Sequence, residues 1–259
     1  NVFNYVDFGI FPKTEPTFGN HFKEFGYKTA VAGKWQLMNN DDGISPTEAG
    51  FDAYCLWNMP LTSRERYWNP SLNKNGTLLD LPEGSYGPTV VNDFILDFIR
   101  ENKDEPFLVY NTLILPHNPF PPTPHSVDKE EKDSKKNFID MVQYIDFLVD
   151  ALDELGLREN TLIVFTADNG TNHVLTSEFK GEQIQGGKGF TKDHGTHVPL
   201  IVNLPGTIPE GQLNQDLISF SDFFPTIVEA AGLEPKAISD GDGWSFWPQC
   251  IGEEGTKRE

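Results

Sequence analysis

Cysteine is almost missing: the 259 residues contain two, Cys55 and Cys250. They lie far apart and fit neither a C-x-x-C pair nor a zinc spacing, which excludes a disulfide-stapled miniprotein. The two can form one disulfide or stay as two thiols; nothing in the spacing chooses, and the compartment is not legible from them. Long apolar runs are missing too. None approaches the ~20 residues needed to span a bilayer, so no transmembrane segment is expected. The first residues, Asn1-Val2-Phe3-Asn4, lack a basic stretch leading into an apolar one, so no signal peptide is visible. Basic residues are scarce, 20 Lys and Arg against 39 Asp and Glu, for a net charge of −19. Such a chain repels duplex DNA and anionic membranes on average, so no nucleic-acid partner is expected. It does not exclude an anionic substrate, because a few lysines in a cleft reverse the local field. Repeats and low-complexity linkers are absent. The length suits one large α/β domain over residues 1–259 that buries roughly 70–75% of its unfolded surface.

What is present reads as strands alternating with helices. Residues 18–26 read as a short helix closed by Gly26, and 28–33 (KTAVAG) as a strand. Residues 39–85, rich in Asn, Pro and Gly, read as a long irregular excursion, a kind that is often functional. Residues 88–102 carry Val90, Val91, Phe94, Ile95, Phe98 and Ile99 at helical spacing. Residues 106–115 read as a buried strand, and the charged run 126–136 as a solvated loop or helix start. Residues 137–155 read as one amphipathic helix, with Phe138, Met141, Val142, Ile145, Leu148, Val149 and Leu152 on one side. Residues 161–167 and 198–203 read as strands. Residues 221–232 read as a helix capped by Ser221 or Asp222, with Pro225 early and Gly232 at its end. The alternation predicts a mostly parallel central sheet with helices on both faces.

Three strands run into polar residues: KTAVAG into Lys34, FLVYNTLILP into His117, and LIVFTA into Asp168-Asn169-Gly170. In parallel α/β sheets, ligands sit outside the carboxyl ends of the strands, so the three are expected at one crevice. Taken singly, the lysine reads as a surface residue, the histidine as a turn cap and Asp-Asn-Gly as a common turn. Their shared position is what favours chemistry. A fourth element is Gly186-Gly187-Lys188-Gly189, followed by Asp193-His194-Gly195-Thr196-His197. It is neither a Walker A loop nor a dinucleotide loop, since the required Gly and Ser or Thr positions are filled by other residues. It reads either as a flexible loop or as a lysine carried to an anion. Asp168 and Asn169 offer hard oxygens suited to Ca²⁺, with Mg²⁺ as the alternative. Lysine ammonium groups stabilise anionic oxygens, and a histidine can donate to a leaving oxygen near neutral pH. Together these groups describe a site for a sulfate or phosphate ester. Trp57, Tyr67 and Trp68 can stack on a sugar or aryl group, or simply pack under the excursion.

Residues 26–37, Gly-Tyr-Lys-Thr-Ala-Val-Ala-Gly-Lys-Trp-Gln-Leu, resemble the GY-x-T-x-x-x-GKWHLG signature of the type I sulfatases of the alkaline phosphatase superfamily. Further motifs follow in family order: Pro116-His117-Asn118-Pro119-Phe120, Asp168-Asn169-Gly170, Gly187-Lys188-Gly189 through Val198-Pro199, Ser221-Asp222-Phe223-Phe224-Pro225-Thr226, and Asp240-Gly241. The resemblance covers essentially the whole chain. It implies an alkaline-phosphatase-like α/β fold, hydrolysis of a sulfated small molecule or glycan, and an exported address. It implies Ca²⁺ held partly by Asp168 and Asn169. Lys34, Lys188 and His117 would be catalytic and bind sulfate, His117 also protonating the leaving group, with Gln36 beside them.

The departures are specific. The family nucleophile is a formylglycine made in C-x-P-x-R, or starts as serine in S-x-A-x-R; neither pattern occurs, because Cys55 precedes Leu-Trp-Asn-Met and Cys250 precedes Ile-Gly-Glu-Glu. Asp41-Asp42 follows GKWQL in a variable loop and reads as a solvated turn, not the family's metal pair. The chain therefore reads as a fragment lacking the nucleophile segment and the C-terminal subdomain, inactive on its own. Gln36 stands where the family has His and cannot act as a base, so either another base serves, His194 or His197, or sulfate release is slow. The alternatives are a phosphodiesterase or phosphonate hydrolase of the same superfamily, or a non-catalytic relative that binds sulfated glycans.

Overall fold

A computed structural model describes residues 16–39, 42–59, 62–63, 65–127, 133–234 and 242–258. Asp41, the Asp42 side chain and Asp240-Gly241 lie outside the described residues. The chain forms two compact units, 1–151 and 152–259.

The first unit opens with α1 (Phe18–Glu24), β1 (Lys28–Lys34), the short pair β2 (Met38–Asn39) and β3 (Asp42–Gly43), and β4 (Ala53–Trp57). The hairpin β5 (Asn73–Lys74) and β6 (Thr77–Leu78), then α2 (Gly87–Asn102), β7 (Phe107–Thr112) and α3 (Ser134–Gln143) follow. Its sheet has the order β6-β5-β4-β1-β7. The three long strands are parallel and the short hairpin strands antiparallel, so the central sheet is mostly parallel as the alternation predicts.

Strand β1 is central because its middle carries small and branched apolar residues that tolerate burial on both sides; Thr29 through Ala32 are fully buried. Val31 packs with Trp35, Ile44, Ala49, Phe51, Leu56 and Met59 in one cluster, joined by Phe18 from α1. Helix α2 starts with Pro88 in its first turn and buries Val91, Phe94, Ile95, Phe98 and Ile99, the spacing of one helical face. It packs against β1, β4 and β7.

Two expectations for this unit change. The 39–85 excursion contains β4, a sheet strand with Cys55, Leu56 and Trp57 buried. A five-residue strand buried on both faces shows no alternation, and the Asn- and Gly-rich flanks mask it. The single helix expected over 137–155 is two, α3 and α4 (Phe147–Glu154). Between them Ile145 and Asp146 donate to Val142 and Gln143, three residues back instead of four. Tyr144 is tied to Thr89 of α2, and Val142, expected on the apolar side, is exposed. No Gly or Pro marks the break, so periodicity runs through it. The charged run ends as read, with Asp133 capping α3 through the amides of Lys135 and Lys136.

The second unit holds β8 (Ile163–Thr166), β9 (Thr176–Phe179), β10 (Glu182–Gln185), α5 (Asp193–Thr196), β11 (Leu200–Asn203), α6 (Phe223–Ala230) and α7 (Trp247–Cys250). Strand β8 pairs antiparallel with β11 in a two-stranded ladder. An apolar strand run does not encode the direction of its partner, which is why the pattern predicts the strand but not its pairing. Asp222 is not the side-chain cap of α6. It accepts from the Ser219 amide at 2.7 Å and the Trp244 amide at 2.8 Å, and pairs with Arg258. Gly232, at φ +65°, ends α6 as expected. Among the described residues, no helix is long and apolar enough to cross a membrane.

Candidate functional site

In the first unit Lys34 stands at the last position of β1, in register with Trp57 of β4. One residue earlier, Gly33 pairs with Thr112 of β7. A Cβ on Gly33 would lie 2.0 Å from the Thr112 carbonyl oxygen, and its φ is +110°, so glycine is required there. That close approach lets the Thr112 hydroxyl donate to the Lys34 carbonyl at 2.7 Å while lying 3.0 Å from the Ala32 carbonyl. Beyond Lys34, the Trp35 amide donates to the Trp57 carbonyl at 3.0 Å and the Trp35 indole to the Ile44 carbonyl at 3.2 Å. The lysine is thus carried on backbone pinned from both neighbouring strands. Gln36 follows it, half-buried.

His117 lies on the segment leaving β7. The Tyr67 hydroxyl grips its backbone, donating to the His117 carbonyl at 2.5 Å and accepting from its amide at 3.2 Å. Arg66 Nη2 lies 2.8 Å from His117 Nδ1 and also donates to the Asn118 carbonyl. The guanidinium lies over the rings of Trp57 and Tyr67, 4.8 and 5.2 Å from their centroids. Trp57 and Tyr67 are both buried, so packing is their main role. Trp68 is half-buried and donates to the Pro122 carbonyl at 3.0 Å. Arg66 is a functional neighbour that the sequence does not announce, since it sits in the excursion with no periodic or motif signal.

In the second unit Asp168 and Asn169 follow β8 on a turn, Asp168 exposed and Asn169 half-buried. Backbone bonds join this turn to the glycine-rich loop. The Lys188 amide donates to the Thr171 carbonyl at 2.9 Å, and the Gly170 amide to the Gly195 carbonyl at 3.0 Å. A Cβ on Gly187 would strike the His194 ring at 2.0 Å and the Gly195 amide at 2.9 Å, so this packing also needs glycine. The structure therefore brings Asp168, Asn169, Lys188 and His194 into one neighbourhood. His197, exposed, is 3.5 Å from Asp193. Lys34 and His117 belong to the first unit, and Asp168, Asn169 and Lys188 to the second.

The sequence matches the Sulfatase family over residues 2–233. The chain belongs to the sulfatase family.

An arylsulfatase of Hemicentrotus pulcherrimus is 29% identical over 252 residues, covering 89% of this chain and 45% of its own length. A sulfatase structure from Pseudoalteromonas sp. has a TM-score of 0.73 at 23% identity, over 95% of this chain and 56% of that one. Another structure, solved in complex with its substrate D-glucosamine-2-N,6-O-disulfate, has a TM-score of 0.73 at 19% identity, over 97% of this chain and 67% of that one. This sulfatase chain thus spans about half the length of the Hemicentrotus relative. The structural neighbours share its alkaline-phosphatase-like α/β fold.

Neither thiol of the sulfatase chain is poised to react. Cys55 is fully buried and burial pushes its thiol up to about 12, the nearby Lys74 opposing only in part. Burial pushes the Cys250 thiol up to about 11. Both cysteines are free. For a metal, Asp168 and Asn169 are oxygen donors of the right hardness, but Ca²⁺ takes six to eight oxygens. Among the described residues no three His, Cys, Asp or Glu side chains converge. Among the described residues the donors fit the ion in kind and fall short in number.

Proposed function

We propose that the chain, as one partial sulfatase domain, supplies the anion-recognising half of a sulfate-ester hydrolase. The observation that carries this reading is the pinned Lys34 at the end of β1 and, in the same unit, the gripped His117 after β7, in a chain of the sulfatase family. Lys34 supplies fixed positive charge to a sulfate oxygen. His117 donates a hydrogen bond to the same group, and Gln36 offers an amide donor nearby. In the second unit, Lys188 offers an ammonium for an anionic oxygen from the glycine-rich loop. In the same unit, Asp168 and Asn169 are two oxygen ligands for Ca²⁺, or Mg²⁺ in its place, an ion that supplies Lewis-acid charge when bound. A sulfated sugar is the substrate class we favour, supported by the neighbour solved with a disulfated glucosamine.

This chain carries neither C-x-P-x-R nor S-x-A-x-R, and its two thiols are held far from thiolate at neutral pH. It is therefore expected to bind a sulfate ester without turning it over. Calorimetric titration with glucosamine 6-sulfate tests the reading. Binding that is lost in Lys34→Ala, with no release of inorganic sulfate, is the expected result. Equal binding by wild type and Lys34→Ala, or a clear preference for a phosphodiester, would overturn it.

A further inference from the structure

We propose that Arg66 is a positioning residue that sets the tautomer of His117, holding the ring neutral with its proton on Nε2. This deepens the sulfatase reading, since it assigns His117 the role of hydrogen-bond donor to an anionic oxygen instead of a full proton source. A guanidinium has five N–H donors, no lone pair, and keeps its protons at any pH the fold survives. At 2.8 Å from Nδ1, Arg66 Nη2 makes a hydrogen bond only if Nδ1 presents its lone pair. The single proton of the neutral ring then sits on Nε2. The competing arrangement is visible as well: the Asn118 carbonyl lies 2.5 Å from Nδ1 and could accept a proton from it. In that tautomer two N–H groups would face each other across the Arg66 contact, one of them on a full cation; the carbonyl keeps a second lone pair, so repulsion at Arg66, not a shortage of acceptors, disfavours it. Nη2 has two hydrogens, enough for Nδ1 and the carbonyl together. Arg66 is itself oriented by the Trp57 and Tyr67 rings, and Tyr67 also grips the His117 backbone. Trp57 is the register partner of Lys34. One aromatic bracket therefore orients the histidine beside the lysine-bearing strand. With Nδ1 committed to the guanidinium, a ring that gave up its Nε2 proton would become an imidazolate. Hydrogen bonding without complete transfer is the role that balances.

The test is the two-bond ¹⁵N–¹H correlation spectrum of the histidine rings in the full chain at neutral pH, without ester, with His117 assigned by its loss in His117→Gln. The wild type is expected to show Nε2–H and an unprotonated Nδ1. Arg66→Met keeps a long side chain against the rings but loses the donor, and is expected to shift the ring toward Nδ1–H. Arg66→Lys, which can still donate and cannot accept, is expected to retain Nε2–H. Nδ1–H in the wild type, an unchanged pattern in folded Arg66→Met, or Nδ1–H in folded Arg66→Lys would each overturn the proposal. Should Arg66→Met not fold, the wild-type and Arg66→Lys spectra decide alone. Failure of the sulfatase reading would look different: no ester binding with the tautomer intact.

Discussion

At the scale of single residues, Gly33 is held by two constraints at once, a left-handed φ and a carbonyl where a Cβ would stand. Gly33→Ala should cost about 2–4 kcal/mol in urea unfolding. Gly26→Ala, at φ +83° with nothing within 4 Å, should cost about 1 kcal/mol. A Gly33→Ala loss no larger than that at Gly26 would mean β7 moves aside freely. Removing the Thr112 hydroxyl in Thr112→Val should cost about 1 kcal/mol and weaken ester binding through Lys34. The cysteines give a separate check: at pH 8 a disulfide reagent should modify half-buried Cys250 slowly and Cys55 only on unfolding. The places of Lys34, His117 and Asp168 at or after strands are legible in the sequence because apolar runs lead into them, whereas Lys188 is marked only by its glycines, the hairpin before it being unread. Arg66 and Thr112 are not legible. Their roles arise from contacts across 51 and 78 positions of sequence, which no local pattern records.

At the scale of elements, the start of β1 and the start of β4 are locked together. The Thr29 amide and hydroxyl each lie 3.0 Å from Asp52 Oδ2, and the Asp52 amide returns a bond to the Thr29 carbonyl at 2.9 Å. Burial alone would raise the Asp52 carboxyl, but Lys23 at 2.6 Å and the Thr29 bonds outweigh it and hold it below the usual range. Asp222 is held low in the same way, burial being outweighed by Arg258 and the Ser219 and Trp244 amides. A folded pKa below the unfolded one means the contribution is complete above the unfolded value, about 4, and disappears as pH falls through the folded one. The urea midpoint should therefore drop below about pH 4, and Asp52→Asn should flatten the drop. A midpoint that holds steady to pH 2.5 in the wild type would remove this account. The motifs that carry Thr29 and Asp52 are legible, yet β4 between them and the next hairpin is not. Its partners are chosen by long-range packing, as is the antiparallel pairing of β8.

At the scale of the whole molecule, charge dominates. With a net −19, self-repulsion opposes compaction, so raising NaCl from about 20 to 200 mM should raise the urea midpoint. A midpoint that falls over that range would show that attractive surface pairs prevail. Composition foretells this behaviour, and alternation foretells the α/β class, because both depend on sums over many residues. The backbone bond between Lys188 and Thr171 has a consequence for anyone redesigning the chain. The carboxylate-bearing turn and the ammonium-bearing loop share one chassis, so a change made to retune either will drag the other with it. Specificity engineering meets a different limit at the far end of β1, where the lysine's backbone is tied to the Thr112 hydroxyl on one side and, through Trp35, to Trp57 and Ile44 on the other.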